Sequence, residues 1–151
     1  MMFSAQRVVK FTEAVSRTAL LTRLAAGLQA DGLVKPSFSE GVLEREKVYP
    51  TGIFMETHSV AIPHTEFEHV NRTGFAIGIN LAGVEFQRTD EPEEAVVPQI
   101  VVMMAIDKTC EKVAIIQSLF ALLADSDRVN EIVKMTPEEI AKVFTDAIVT
   151  Q

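Results

Sequence analysis

The spacing of apolar residues changes several times along the chain, and each change marks a new element. Val8 to Phe11 is a short apolar run. Beyond Ser16, a plausible N-cap, Leu20, Leu21, Leu24, Ala25 and Leu28 recur at the three- and four-residue spacing that places them on one helical face, and Asp31-Gly32 supplies C-cap chemistry. A second, shorter helix is predicted from Ser37 through Glu46, burying Phe38, Val42 and Leu43, with Arg45 near its C-terminal end. Pro50 ends it, because the residue before a proline disfavours helical dihedrals.

After Pro50-Thr51-Gly52 the pattern becomes that of strands: Ile53 and Phe54, then Val60-Ala61-Ile62, then Phe75 to Ile79. Gln99 to Ile106 is apolar at both alternating sets of positions, as a central strand covered on two sides requires. Helices must provide that cover. One is predicted from Glu111 to Ala124, with Val113, Ile116, Leu119, Phe120 and Leu123 as its apolar positions, and a short one from Asp127 to Lys134. The last helix opens with Thr136 as N-cap, Pro137 at the first helical position and Glu138-Glu139 in the first turn, and buries Ile140, Val143, Phe144 and Ile148. Gln87 to Val97 is polar, acidic and interrupted by Pro92, and reads as an exposed loop. The alternation predicts an α/β fold, a mixed β-sheet sandwiched between helices. No repeat or linker divides the 151 residues, so one domain spanning 1–151 is expected.

Composition narrows the function. With 14 Lys+Arg against 21 Asp+Glu the formal charge is −7, which opposes non-specific binding to nucleic acid or anionic lipid. Cys110 stands alone, so no internal disulfide can form, and it reads as an inert or buried thiol. Charges at Arg7, Lys10, Glu13 and Arg17 interrupt the N-terminal segment, so no signal peptide or membrane span is expected there, and a cytoplasmic chain follows.

The chemistry concentrates between Glu44 and His64. A short apolar strand running into Ile62-Pro63-His64 places an imidazole at a strand end, held by the sheet and exposed by the adjoining loop. A Pro-His pair alone is a weak sign of a nucleophile. A phosphoryl-carrying histidine further needs a neutral attacking nitrogen, an acceptor that fixes the other nitrogen, and donors for the phosphoryl oxygens. Arg45 offers paired guanidinium donors, while Lys47 reads as solvated surface. Thr51 offers a hydroxyl and Gly52 a close backbone N–H, and both are equally well explained as turn residues. His58, His64 and His69 with Glu66 and Glu68 could instead ligate a metal, but the histidines stand six and five residues apart, unlike the one-turn spacing of zinc hydrolases.

The order Arg45-Glu46, Pro50-Thr51-Gly52, Ala61-Ile62-Pro63-His64 resembles the type-2 (mannitol/fructose class) IIA domains of bacterial phosphoenolpyruvate-dependent sugar phosphotransferase systems. The resemblance runs from the N-terminal helix and Gly32 through the strand around Val101 to the helix with Leu119 and Leu122-Leu123. Tyr49 to His58, followed by Ser59 to His64, is most similar to the galactitol branch. The resemblance implies a phosphohistidine at His64, accepted from the phosphocarrier protein HPr and passed to a IIB component that serves a membrane-embedded IIC. It also implies transfer through Nε2, phosphoryl stabilisation by Arg45, and no metal or other cofactor. His58 could help to orient His64. Mannitol- and fructose-type relatives often carry a second histidine at the start of the helix after the long apolar strand, where this chain reads Thr109 to Val113; Lys112 falls at or near that position and could act as a cationic substitute. A regulatory protein that keeps the phosphorylatable fold is the alternative role.

Overall fold

The computed structural model describes residues 2–109 and 112–148. Cys110 and the expected helix start at Glu111 lie outside them. Among the described residues, seven strands form: β1 (Val8–Phe11), β2 (Gly52–Phe54), β3 (Ser59–Ala61), β4 (Gly74–Asn80), β5 (Phe86–Gln87), β6 (Ala95–Val96) and β7 (Ile100–Ala105). The helices are α1 (Arg17–Ala30), α2 (Phe38–Val48), α3 (Lys112–Ala124), α4 (Ser126–Ile132) and α5 (Pro137–Ala147).

Five strands make a mixed sheet in the order β1-β4-β7-β3-β2, with β7 at its centre. β1 runs parallel to β4 and β3 parallel to β7, while β4 and β7 are antiparallel, pairing Phe75 with Met104 and Ile77 with Val102. Every residue of β7 is buried, as its unbroken apolar run predicts. Side-chain alternation divides that strand between two cores. Ile100, Val102 and Met104 pack with α3, α4 and α5 through Leu119, Ile132 and Phe144; Val101, Met103 and Ala105 pack with α1 and α2 through Leu24, Leu28 and Phe38. The sheet is thus covered on both faces.

Local signals set the helix ends. The Ser16 hydroxyl accepts the Ala19 N–H at 3.0 Å, and Gly32 takes φ +71°, a conformation that side chains with a Cβ disfavour. At α5, Thr136 and Glu139 form a reciprocal capping box, with bonds of 3.2 and 2.9 Å. α2 runs two residues beyond Glu46, to Val48, before Pro50 stops it.

Two expectations change. The ends of the Gln87–Val97 stretch are not loop: β5 and β6 pair as a hairpin that buries Phe86 and Val96 against the α1/α2 side, while the acidic tip stays exposed. In α3 the fully buried positions are Ile115, Leu119 and Leu123, whereas Val113 is 68% exposed and Ile116 and Phe120 are half-buried. A helix this apolar has more than one greasy face, and its second face lines the cleft described next.

Candidate functional site

β3 delivers His64 to its position. The Pro63 carbonyl accepts the Met104 N–H at 3.0 Å, which ties the segment after β3 to the central strand, and Ile62 N–H reaches the Thr51 carbonyl at 3.3 Å. Pro63 holds φ near its fixed value, so His64 leaves the end of β3 on a rigid stem. Its Nδ1 lies 2.9 Å from the carbonyl oxygen of Ile62. A carbonyl only accepts, so the proton resides on Nδ1 and the lone pair on Nε2. Burial pushes the His64 pKa below the ordinary 6.5; Arg45 and Lys112 push the same way, opposed by the Ile62 hydrogen bond and Glu66. The ring is neutral at pH 7.

The half-buried imidazole divides two hollows. A small one of about 110 Å³ lies between Arg45, Tyr49, Thr51, Ile53, Thr89 and His64. A larger cleft of about 590 Å³ opens on the other side, with Ile62, Phe67, Met104, Ile106, Val113, Ile116 and Phe120 as apolar walls and Asp107, Lys108 and Lys112 among its polar groups. That volume falls in the range of ligand clefts, and its open, apolar lining equally suits a protein surface. Its rim is braced by Asp107, which accepts from the backbone and hydroxyl groups of Thr73 and Thr109.

Arg45 sits on the last turns of α2. Its Nη1 donates to Glu66 Oε2 at 2.8 Å, and the guanidinium carbon stands 5.1 Å from the centre of the Tyr49 ring. Nε is buried with no acceptor among the described residues. Lys112 is exposed at the start of the described part of α3, on the cleft shared with His64. Arg45 and Lys112, distant in sequence, therefore converge on the His64 imidazole.

The remaining candidates are held elsewhere by their bonds. Thr51 is buried, and both its N–H and its hydroxyl donate to the Glu46 carboxylate at 2.8 and 2.7 Å. Its hydroxyl proton is engaged, so it clamps the end of α2 and does not point a donor at His64. Burial pushes the Glu46 carboxyl up, and the two Thr51 hydrogen bonds offset part of that. Gly52 has a steric role: a Cβ there would lie 2.6 Å from the Gln87 carbonyl oxygen, because the hairpin crosses it closely. His58 does not bond His64. Its Nε2 donates to the Leu123 carbonyl at 2.6 Å, with Thr57 Oγ1 3.2 Å from Nδ1. His69 pairs with Ser37, so the three histidines serve three separate neighbourhoods. Lys47 lies at the surface beside Glu44.

Two acids escape the sequence pattern. Glu46 is a charged residue on the buried side of α2, and only its place one residue after Arg45 draws attention to it. Glu66 enters the sequence reading only as a metal ligand, although a carboxylate two residues past the histidine is a visible signal.

Comparison with known proteins identifies the family and the fold. Residues 1–147 match the family model "Phosphoenolpyruvate-dependent sugar phosphotransferase system, EIIA 2". The PTS system galactitol-specific EIIA component of Escherichia coli K12 is 26% identical over 131 residues, covering 87% of each chain. Among solved structures, the crystal structure of IIA mannitol from Escherichia coli superposes with a TM-score of 0.75 at 21% identity, covering 95% of this chain and 99% of that one. IIA mannitol in its complex with phosphorylated IIB, also from Escherichia coli, gives 0.74 at 22% identity, covering 95% and 96%. The nitrogen regulatory protein IIA-Ntr of Neisseria meningitidis gives 0.64 at 17% identity, covering 95% and 96%. These structural likenesses establish a shared mannitol-type fold. Among the described residues no helix is long and apolar enough to cross a membrane. With a family model matched over nearly its whole length, the chain belongs to the EIIA 2 family of the phosphoenolpyruvate-dependent sugar phosphotransferase system and is a sugar phosphotransferase component.

Proposed function

We propose that this chain is a cytoplasmic phosphohistidine carrier that accepts a phosphoryl group from phospho-HPr on Nε2 of His64 and passes it to a IIB component. The observation that carries this reading is the His64 Nδ1 bond to the Ile62 carbonyl, which leaves Nε2 as an unprotonated nucleophile beside two cations. In-line transfer from the donor's phosphohistidine onto His64 needs little covalent machinery beyond positioning and charge neutralisation. Arg45 and Lys112 neutralise the incoming phosphoryl oxygens. The apolar cleft receives the partner protein's surface, and the partner departs before the next one docks on the same face. No metal or other cofactor takes part.

The galactitol-specific relative and the sequence from Tyr49 to His64 support service to a galactitol IIB and, through it, a membrane IIC. The carrier meets only proteins, so no residue in the site reads the sugar. The IIA mannitol structure solved with phosphorylated IIB supports a IIB as the acceptor.

The test is incubation with phosphoenolpyruvate, the general phosphotransferase enzyme and HPr, followed by intact mass at alkaline pH. One acid-labile phosphate adduct is expected, absent from His64→Ala. No adduct, or one that survives that substitution, defeats the reading. Onward transfer to a galactitol IIB separates transport from regulation: a carrier that charges normally yet discharges to no IIB would be a signalling protein.

A further inference from the structure

The site holds an acid that the carrier chemistry leaves unexplained. Glu66 follows His64 by two residues and occupies Nη1 of Arg45 at 2.8 Å, with Thr65 Oγ1 3.4 Å from the same carboxylate oxygen. Arg45 is otherwise under-used. Its guanidinium rests beside the Tyr49 ring, and Nε is buried without an acceptor among the described residues. With only Nη1 bonded to a side-chain acceptor among the described residues, the guanidinium keeps further N–H donors for a group with three acceptor oxygens. Glu66 is 53% exposed, so it can swing into water without leaving a buried charge behind.

We propose that Glu66 is a positioning residue that holds Arg45 while His64 is free and yields it to the phosphoryl group when His64 is charged. The proposal rests on the reading of His64 as the phosphoryl carrier. In the transfer, the donor's phosphorus–nitrogen bond breaks with its electron pair remaining on the donor ring. That ring, protonated on its other nitrogen, leaves as neutral imidazole. The Nε2 lone pair of His64 forms the new phosphorus–nitrogen bond, and its ring becomes cationic while the Nδ1 proton stays bonded to the Ile62 carbonyl. Arg45 exchanges one anion for another, and no proton moves with it.

The consequence is a calibrated grip. A carrier must release its cargo as readily as it accepts it, so a cation wholly free to clamp the phosphoryl group would trap it. Glu66 competes for that cation and, once displaced, stands as a like charge beside the phosphoryl group. An exposed ion pair of this kind shifts an equilibrium by about two- to fivefold. Glu66 also raises the His64 proton affinity against Arg45 on α2 and Lys112 on α3, with Asp107 and Lys108 lining the same cleft.

The measurement is the phosphoryl-exchange equilibrium between HPr and this chain, read by intact mass at alkaline pH for wild type, Glu66→Gln, Arg45→Ala and the double variant. Glu66→Gln should raise the equilibrium constant for phosphorylation about two- to fivefold and slow discharge to IIB, and the gain should vanish in the Arg45→Ala background. An unchanged or lowered constant, or a gain that persists without Arg45, overturns the proposal. In wild type, the Arg45 Nε–H resonance should move on phosphorylation, and a static resonance would equally overturn it, whatever the stability of the variants. Failure of wild type to take any phosphoryl group is a different result: it removes the carrier reading and Glu66's role with it.

Discussion

The Nδ1 of His64 donates to the carbonyl of Ile62, two residues earlier on the same stem, at 2.9 Å. This single bond fixes the tautomer, orients the ring and leaves Nε2 aimed between the two hollows. Because burial holds the His64 pKa below 6.5, phosphoryl acceptance should keep its plateau through neutrality and fall at a lower pH than for an ordinary histidine. Transfer rates from HPr measured between pH 5 and 8 check this. The folded ring binds protons less readily than the unfolded one. Stability should therefore decline as pH drops through about 6.5 and level off below the folded pKa, a slope that His64→Ala would lose in urea titrations.

Arg45→Ala should slow phosphoryl transfer on the order of a hundred- to a thousandfold, the scale of losing one donor at a reacting centre. The side chain is partly exposed and its ion pair with Glu66 lies at the surface, so the far-UV circular dichroism and urea midpoint should change little. An unaltered transfer rate would take Arg45 out of the mechanism.

Lys112→Ala should raise the His64 pKa, since one of the two cations that lower it is gone. A ring titration followed by NMR reads this directly. Phosphoryl acceptance should fall several-fold with it, and Lys112→Arg should restore most of the loss. A His64 titration that ignores the substitution would leave Lys112 as plain surface.

Thr51→Val removes the hydroxyl from the buried Glu46 carboxylate while leaving the backbone N–H bond in place. A cost of about 1–3 kcal/mol in unfolding free energy is expected, from a buried acceptor deprived of its donor. The phosphoryl capacity per folded molecule should be intact, because Thr51 spends its hydroxyl proton on Glu46. Loss of transfer without loss of stability would reverse that assignment.

Val113 is 68% exposed on the cleft face of α3, so Val113→Asp should fold normally. A buried charge in a protein interface is costly, and the KM for phospho-HPr should rise about tenfold or more while the plateau rate changes little. An unchanged KM would place the partner elsewhere.

Much of this protein is legible in one dimension because much of it is local. The capping box of Thr136 and Glu139 spans three residues, Gly32 stops α1 by its own φ, and the Pro63-His64 stem follows directly from β3. The unbroken apolar run of β7 requires cover on both faces and receives it. Arg45 and His64 can be named from their residue types and order. The misreadings lie where an apolar or polar residue has two possible uses. The periodicity of α3 marks Val113, Ile116 and Phe120 as apolar without saying whether they meet the core or a cleft. The polar stretch around Pro92 hides Phe86 and Val96 at its ends, two short strand pieces supported by each other, by the α1/α2 core and by the close crossing at Gly52.

By itself, then, the sequence determined most of the elements, the capped helix ends, the sandwich class and a candidate histidine, since each depends on contacts within a few residues or on a side chain's intrinsic chemistry. Tertiary structure alone decided the strand order β1-β4-β7-β3-β2, the convergence of Arg45 and Lys112 on His64, the capture of Thr51 by Glu46 and the pairing of Arg45 with Glu66 across 21 residues. Those outcomes rest on where one element crosses another. A periodic pattern states which side of an element turns inward, but not which distant donor will meet which acceptor once the sheet has assembled.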